Sequence, residues 1–298
     1  MQKATINKDR LVAQSVMGKI HHPTLGGSGV VKITHDGKTS VLPSVGGITY
    51  NVRIGDSVYG MDCDHVEPGV SIKNPDEREN GALNAFACIG NDARVVSGDA
   101  KGAKGFVTGT HGGIEHVLLY FAQKDLEKML PDDRILIRAW GQGLMVKELP
   151  EVSLMNIDPR LFERIGPRIR DGKLAVPVAA KIPAHLMGAG QGMGYGQTGD
   201  YDLMTSDWAE IEKYGLDRLR YGDLVLLEDC DNTFGRTFRR GAVTVGFVVH
   251  SDCVIAGHGP GITTVMTCPK PLIEGVPSQE ANLAEWMGIS SAGKQEKR

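Results

Sequence analysis

The hydrophobic positions of this chain fall into short runs with a period near two, broken by glycine, proline and acidic turns. Runs rich in β-branched residues predict strands over Val30–Thr34, Thr39–Leu42, Ile48–Val52, Ser57–Met61, Phe106–Gly109 and His116–Phe121. Further along, Arg134–Ala139, Asp223–Leu227, Ala242–His250 and Thr263–Thr267 have the same character. The segment AVTVGFVVH is apolar on both faces of a strand, which predicts burial on both sides. Helical spacing is rarer. It predicts helices over Gln123–Leu130, stopped by Pro131, and over Asp158–Ile165, with Asp158 as cap and Pro159 as first helical residue. A third is predicted over Ser206–Leu219, ending near Gly215. Together these elements predict a mainly β protein (β-rich α+β): two barrel- or sandwich-like modules with a few short helices. The break in the strand pattern around Phe121–Pro131 places the division between residues 1–125 and 126–298, and SSAGKQEKR at the end reads as a solvated tail.

Composition sharpens the β reading. Glycine takes 39 of 298 positions, against an ordinary share of about 7%. It is spread through the chain in pairs, as many tight turns require. One phrase recurs: RIGDSVYGMDCD (Arg53–Asp64) and RYGDLVLLEDCD (Arg220–Asp231) share Arg, Gly-Asp, Val and the closing Asp-Cys-Asp. Two readings fit, a duplicated β module or a common turn-into-strand phrase.

The net charge of -3 gives no field that attracts nucleic acid or an anionic membrane. No apolar run approaches the ~20 residues that span a bilayer, and the first residues carry no signal-peptide pattern, so a cytoplasmic protein is expected. Five cysteines, scattered without a CxxC, argue against a disulfide framework or a cysteine-only zinc site.

Four glycine-flanked clusters concentrate ligand-type side chains. DCDHVEPGVSI offers Asp62, Cys63, Asp64, His65 and Glu67; GTHGGIEH offers His111, Glu115 and His116; GQTGDYDLMTSD offers Asp200 and Asp202; VVHSDCVIAGHGPG offers His250, Asp252, Cys253 and His258. A catalytic metal takes about three such ligands and leaves one position open for water. Asp200 and Asp202, two apart, share a face if extended. His111 and His116 do not form the helical metal motif that their spacing suggests, because Gly112–Gly113 opposes a helix; they stand instead on the two sides of a turn, with His111 the one to face a ligand and His116 the one to be packed. The expected metal ligands are therefore Asp64, His65, His116, Asp200 and Asp202, and the expected catalytic groups Glu67, His111 and His258. Gly112, Gly113 and Gly259 are expected to bring backbone N–H groups to the substrate. Arg236, in the hairpin FGRTFRRG, reads either as part of a solvated turn or as a fork for a substrate carboxylate. GAGQGMGYG lacks the flanking strand and helix of a dinucleotide fingerprint, and GDAKGAKG lacks the end of a P-loop, so no nucleotide cofactor is expected.

Taken in order, DHVEPGVSI, FVTGTHGGIEHV, GDYDLMTSD, LRYGDLVLLEDCD, GAVTVGFVVHSD and AGHGPGITT resemble an uncharacterised prokaryotic family, domain of unknown function 4438, over almost the whole chain. That resemblance implies no activity. A weaker likeness is to the acetamidase/formamidase family, β-rich enzymes that use a metal to hydrolyse small amides. The likeness lies in GDYDLMTSD, although Tyr201 and Asp202 stand where that family's phrase usually has histidine. The expectation is a metal-dependent hydrolase of a small polar substrate, with an amide C–N bond favoured and Zn, Mn or Ca as the divalent ion. A small molecule and further copies of the chain in a homo-oligomer are the expected partners, with no nucleic acid and no membrane. The competing readings are a non-catalytic small-molecule-binding or scaffold protein, and a metal-dependent lyase or isomerase.

Overall fold

A computed structural model describes residues 2–24 and 31–289. The structure is mainly β. Six antiparallel strands close into a barrel in the order Gln14–Ile20, Arg134–Ala139, Asp92–Val95, Lys104–His111, His116–Phe121 and Gly69–Lys73, the last pairing back to the first. Closure follows from period-two patterning. Val117, Leu119 and Phe121 turn into the barrel with Val70, Ile72, Val107, Ile135 and Ile137, while His116, Leu118 and Tyr120 alternate to the outer face. That face is not solvated: Leu118 joins the core of the second module, and Tyr120 packs against it.

The second module has a five-stranded sheet in the order Ser153–Leu154, Ile262–Cys268, Thr237–Val248, Leu224–Asp231 and Ala180–Ile182. A four-stranded sheet (Gln2–Lys3, Arg168–Arg170, Lys173–Val178, Ile273–Pro277) shares its core through Leu174, Val176, Leu224 and Leu226. The two modules approach closely at Gly109, where a Cβ would stand 2.3 Å from Val249 Cγ1. Thr110 and Thr263 lock the seam, the Thr263 hydroxyl accepting from Thr110 N at 3.2 Å and donating to Thr110 O at 2.9 Å. The barrel draws on residues 14–139, so its strand Arg134–Ala139 lies beyond the expected division at residue 125.

Most expected strands form, several of them shorter or shifted, such as Lys32–Ile33, Thr39–Ser40 and Ile48–Thr49. Val30 and the expected tail, 290–298, lie outside the described residues. Ser57–Met61 departs from expectation. It makes a single bridge, Ser57 to Arg220, because Gly55 and Gly60, at φ of 99° and 83°, bend the chain on either side. The recurring phrase is a shared turn: Asp56 Oδ2 accepts from Arg53 N at 2.9 Å and Asp223 Oδ2 from Arg220 N at 2.8 Å. Beyond the turn the copies diverge, one into a strand and one into a loop. The Asp158-capped helix forms as expected over Pro159–Ile165 and ends at left-handed Gly166. The third helix shortens to Trp208–Lys213. The longest, Glu77–Phe86, was not expected. Among the described residues no helix is long and apolar enough to cross a membrane.

Candidate metal centre

His111 and His116 face each other across the hairpin that joins Lys104–His111 to His116–Phe121. Directly opposed residues share a face, so both imidazoles leave the barrel towards the second module. Left-handed Gly113 and Glu115 close the turn, and Asn80 and Asn84 of the unexpected helix each donate to Glu115 O at 3.0 Å. Glu67 sits between the two rings. His111 Nδ1 meets its Oε1 at 2.6 Å, and His116 Nδ1 lies 3.0 Å from both oxygens. Gly46 N and the Ser71 hydroxyl fill the rest of the carboxylate. Burial opposes the charge on Glu67, yet His116 and His111 outweigh it and hold the carboxyl well below its ordinary range. A carboxylate only accepts, so His111 Nδ1 carries a proton towards Glu67, which leaves Nε2 as the ring atom it can offer to a ligand.

Asp200 and Asp202 come from an extended segment paired with Pro260–Ile262 (Tyr201 N to Ile262 O, 3.0 Å; Leu203 N to Pro260 O, 3.0 Å). Alternation places both carboxylates on one side and Tyr201 in the core. His250 arrives just past the end of Thr237–Val248. Its Nδ1 donates to Ser251 O at 2.9 Å, because a carbonyl only accepts. That leaves Nε2 facing Asp200 Oδ2 at 2.6 Å. The approach is off the line a hydrogen bond needs, and among the described residues neither atom has a hydrogen-bond partner. Two buried lone pairs this close repel unless a proton or a cation lies between them. Burial opposes a charge on His250, but Asp200 and Asp202 raise its pKa well above the usual value, while His111 and His250 lower that of Asp200. Gly261 keeps the space open: a Cβ there would stand 1.9 Å from Asp200 Oδ2 and 2.1 Å from His250 Nε2. His111, Asp200 and His250 each offer a ligand atom within 4.8 Å of the others, and all three are buried. An imidazole backed by a carboxylate and another backed by a carbonyl are the usual outer partners of metal-bound histidines.

His65 and His258 lie beside this group. Ring centroids are 5.8 Å apart for His65 and His111, 5.1 Å for His65 and His250, and 5.0 Å for His65 and His258. The clusters at residues 65, 111, 200 and 258 therefore converge. Asp64 faces away from the open space. It lies 3.1 Å from His65 Nδ1 and 2.5 Å from Lys32 Nζ, and accepts from Cys253 Sγ at 2.9 Å.

Several expected residues take supporting places. Glu67, expected as a general base, has both oxygens occupied and holds His111 and His116. His116, expected as a ligand, has its second nitrogen 3.2 Å from His21 Nδ1, on the far side of Glu67. Asp64, likewise expected as a ligand, braces His65. Gly112 N donates to Asp200 Oδ1 at 2.7 Å and so orients that carboxylate. Gly113 serves the turn, and Gly259 permits a close approach, since a Cβ would fall 1.8 Å from Leu203 O. Arg236 is buried, unlike exposed Arg239 and Arg240; its Nη2 donates to Thr198 O at 2.7 Å, and burial lowers its pKa against the pull of Asp200 and Asp202. His250 and Cys253 stand in the fourth cluster without an expected role, and Gly261 only as part of its glycine-rich turn. Cavities of about 1260 Å³ and about 670 Å³ open elsewhere on the molecule, and no histidine lines either.

The comparisons with known proteins agree with this architecture. The model described as domain of unknown function (DUF4438), N-terminal, matches residues 31–163, and its C-terminal counterpart matches residues 164–287. The crystal structure of TM1086 is similar at 47% identity and a TM-score of 0.91, covering 95% of this chain and 99% of that one. No curated protein matches, and the likeness to acetamidase/formamidase gains no support. The chain belongs to the DUF4438 family.

Proposed function

We propose that the chain is a metal-dependent hydrolase of a small polar substrate, with an amide C–N bond as the favoured target. The observation that carries this reading is the pair Asp200 Oδ2 and His250 Nε2, buried, 2.6 Å apart and without hydrogen-bond partners among the described residues, with His111 beside them. Two imidazoles and a carboxylate suit Zn or Mn. They do not suit Ca, which takes 6–8 oxygen ligands. A divalent ion held there would polarise a carbonyl and make water a nucleophile near neutral pH. His111 and His250 are kept in the ligating tautomer by Glu67 and by Ser251 O. Asp202 lies between this group and His258, with its Oδ2 2.8 Å from His258 Nδ1. His258, whose side chain is 35% exposed, marks the side on which a substrate enters.

The burial of the centre favours a second reading, a non-catalytic protein that holds a metal or a small molecule. Untagged protein assayed on a panel of small aliphatic amides, with and without chelator, separates the two. The hydrolase reading predicts chelator-sensitive release of ammonia and carboxylate. Stoichiometric metal without turnover on any member would favour the second reading. A product formed without uptake of water would point to a lyase or isomerase.

A further inference from the structure

We infer that the centre holds two cations, with Asp202 as the carboxylate between them. This rests on the reading that His111, Asp200 and His250 bind the first. Asp202 has an oxygen on each side. Its Oδ1 lies 3.6 Å from His250 Nε2, at the first group. Its Oδ2 lies 2.8 Å from His258 Nδ1 and 3.7 Å from His65 Nε2. Those two nitrogens are 3.1 Å apart, and Cys253 offers its sulfur within 4.8 Å of a ligand atom on each of the two histidines. Three donors of borderline-soft character thus surround one point beside Asp202, and a first-row divalent ion such as Zn is the class they fit.

The second group repeats the construction of the first. His65 is backed at Nδ1 by Asp64 as His111 is backed by Glu67, which leaves Nε2 turned to the shared carboxylate. Asp64 is itself fixed by Lys32, Ser44 and Val254 N, which are not ligands, and by the Cys253 thiol, whose proton a bound ion would displace. Asp200 and Asp202 together place two negative charges in a buried space. A single divalent ion bound to the first group leaves Asp202 Oδ2 facing only imidazoles, whereas a carboxylate with one oxygen on each ion is the usual bridge of centres whose ions stand about 3.5–4 Å apart.

The test is the metal stoichiometry of the untagged full chain, loaded with Zn²⁺, dialysed and measured by elemental analysis. The expected result is two equivalents for the wild type, falling to one in His65→Ala/His258→Ala, which keeps the first group intact. One equivalent in the wild type, unchanged by that double substitution, overturns the second site and leaves the first standing. No bound metal in the wild type overturns both. Because the double variant can fail to fold, electron paramagnetic resonance of wild-type protein loaded with Mn²⁺ gives a second readout. Spin coupling between paired ions is expected at full loading, and the spectrum of isolated ions would overturn the proposal.

Discussion

Glu67 and Asp200 are both buried carboxylates within reach of His111, yet their surroundings differ. Glu67 receives His111, His116, Gly46 N and Ser71. Asp200 receives Gly112 N on one oxygen, and among the described residues the other has no hydrogen-bond partner. A buried carboxylate with every lone pair used positions its neighbours. One that faces a buried imidazole at 2.6 Å without hydrogen-bond geometry holds its charge against that ring alone, the arrangement on which the metal proposal rests. The contrast divides the cluster into a barrel-side scaffold and a centre supplied mostly by the second module.

The largest effect expected from breaking this contrast is at Gly261. In Gly261→Ala the new methyl group stands within 1.9 Å of Asp200 Oδ2 and 2.1 Å of His250 Nε2, so metal binding measured by calorimetry should disappear, as it should in His250→Ala. Next is Glu67→Gln, which leaves every ligand in place. Loss of an outer partner of a metal-bound histidine costs roughly 10–100-fold in affinity, and the buried network costs about 1–3 kcal/mol in the urea-unfolding free energy. This substitution also changes the acid limb of stability. The folded pKa of Glu67 is depressed, so its contribution is full above the ordinary carboxylate pKa of about 4.3 and is lost as pH falls towards the folded value. Glu67→Gln should therefore flatten the fall of stability below that pH. A third effect concerns protons. His250 holds a raised pKa against Asp200, so a cation has to displace that proton. Metal affinity should weaken as pH falls through that value, and calorimetry in buffers of differing ionisation heat should register proton release. Smallest is Gly112→Ala, whose Cβ would meet Asp200 Oδ1 and Gly199 Cα at 3.3 Å; a few-fold loss of metal affinity is expected, with little change in the melting temperature.

What could be read from the sequence followed local chemistry. Gly112–Gly113 ruled out a helix, and the hairpin brings His111 and His116 to the same face on opposite sides of the turn. The spacing of Asp200 and Asp202 places both on one side of an extended segment. The cap and first residue of the helix at Pro159–Ile165 were equally plain. Long-range approach was not legible. His250 could be read as a ligand-type side chain at the end of an apolar strand, but nothing local says that the strand ends where Val249 meets Gly109. Gly261 looked like one turn glycine among many. The helix Glu77–Phe86 was hidden because Gly81 interrupts it and Leu83 is its one buried hydrophobic residue. Its Asn80 and Asn84 act on the hairpin turn instead, a contact that no periodicity reveals. Glu67 and Asp64 carried the right chemistry for a site, but whether a carboxylate binds a metal or braces a histidine depends on donors such as Gly46 N and Lys32, which come from elsewhere in the chain.

The most direct test is anomalous diffraction at the zinc edge from crystals of untagged protein grown with Zn²⁺. The account predicts an anomalous peak at bonding distance from Asp200 Oδ2, His250 Nε2 and His111 Nε2. Density showing no peak there, with Asp200 and His250 joined by a simple hydrogen bond, would contradict it.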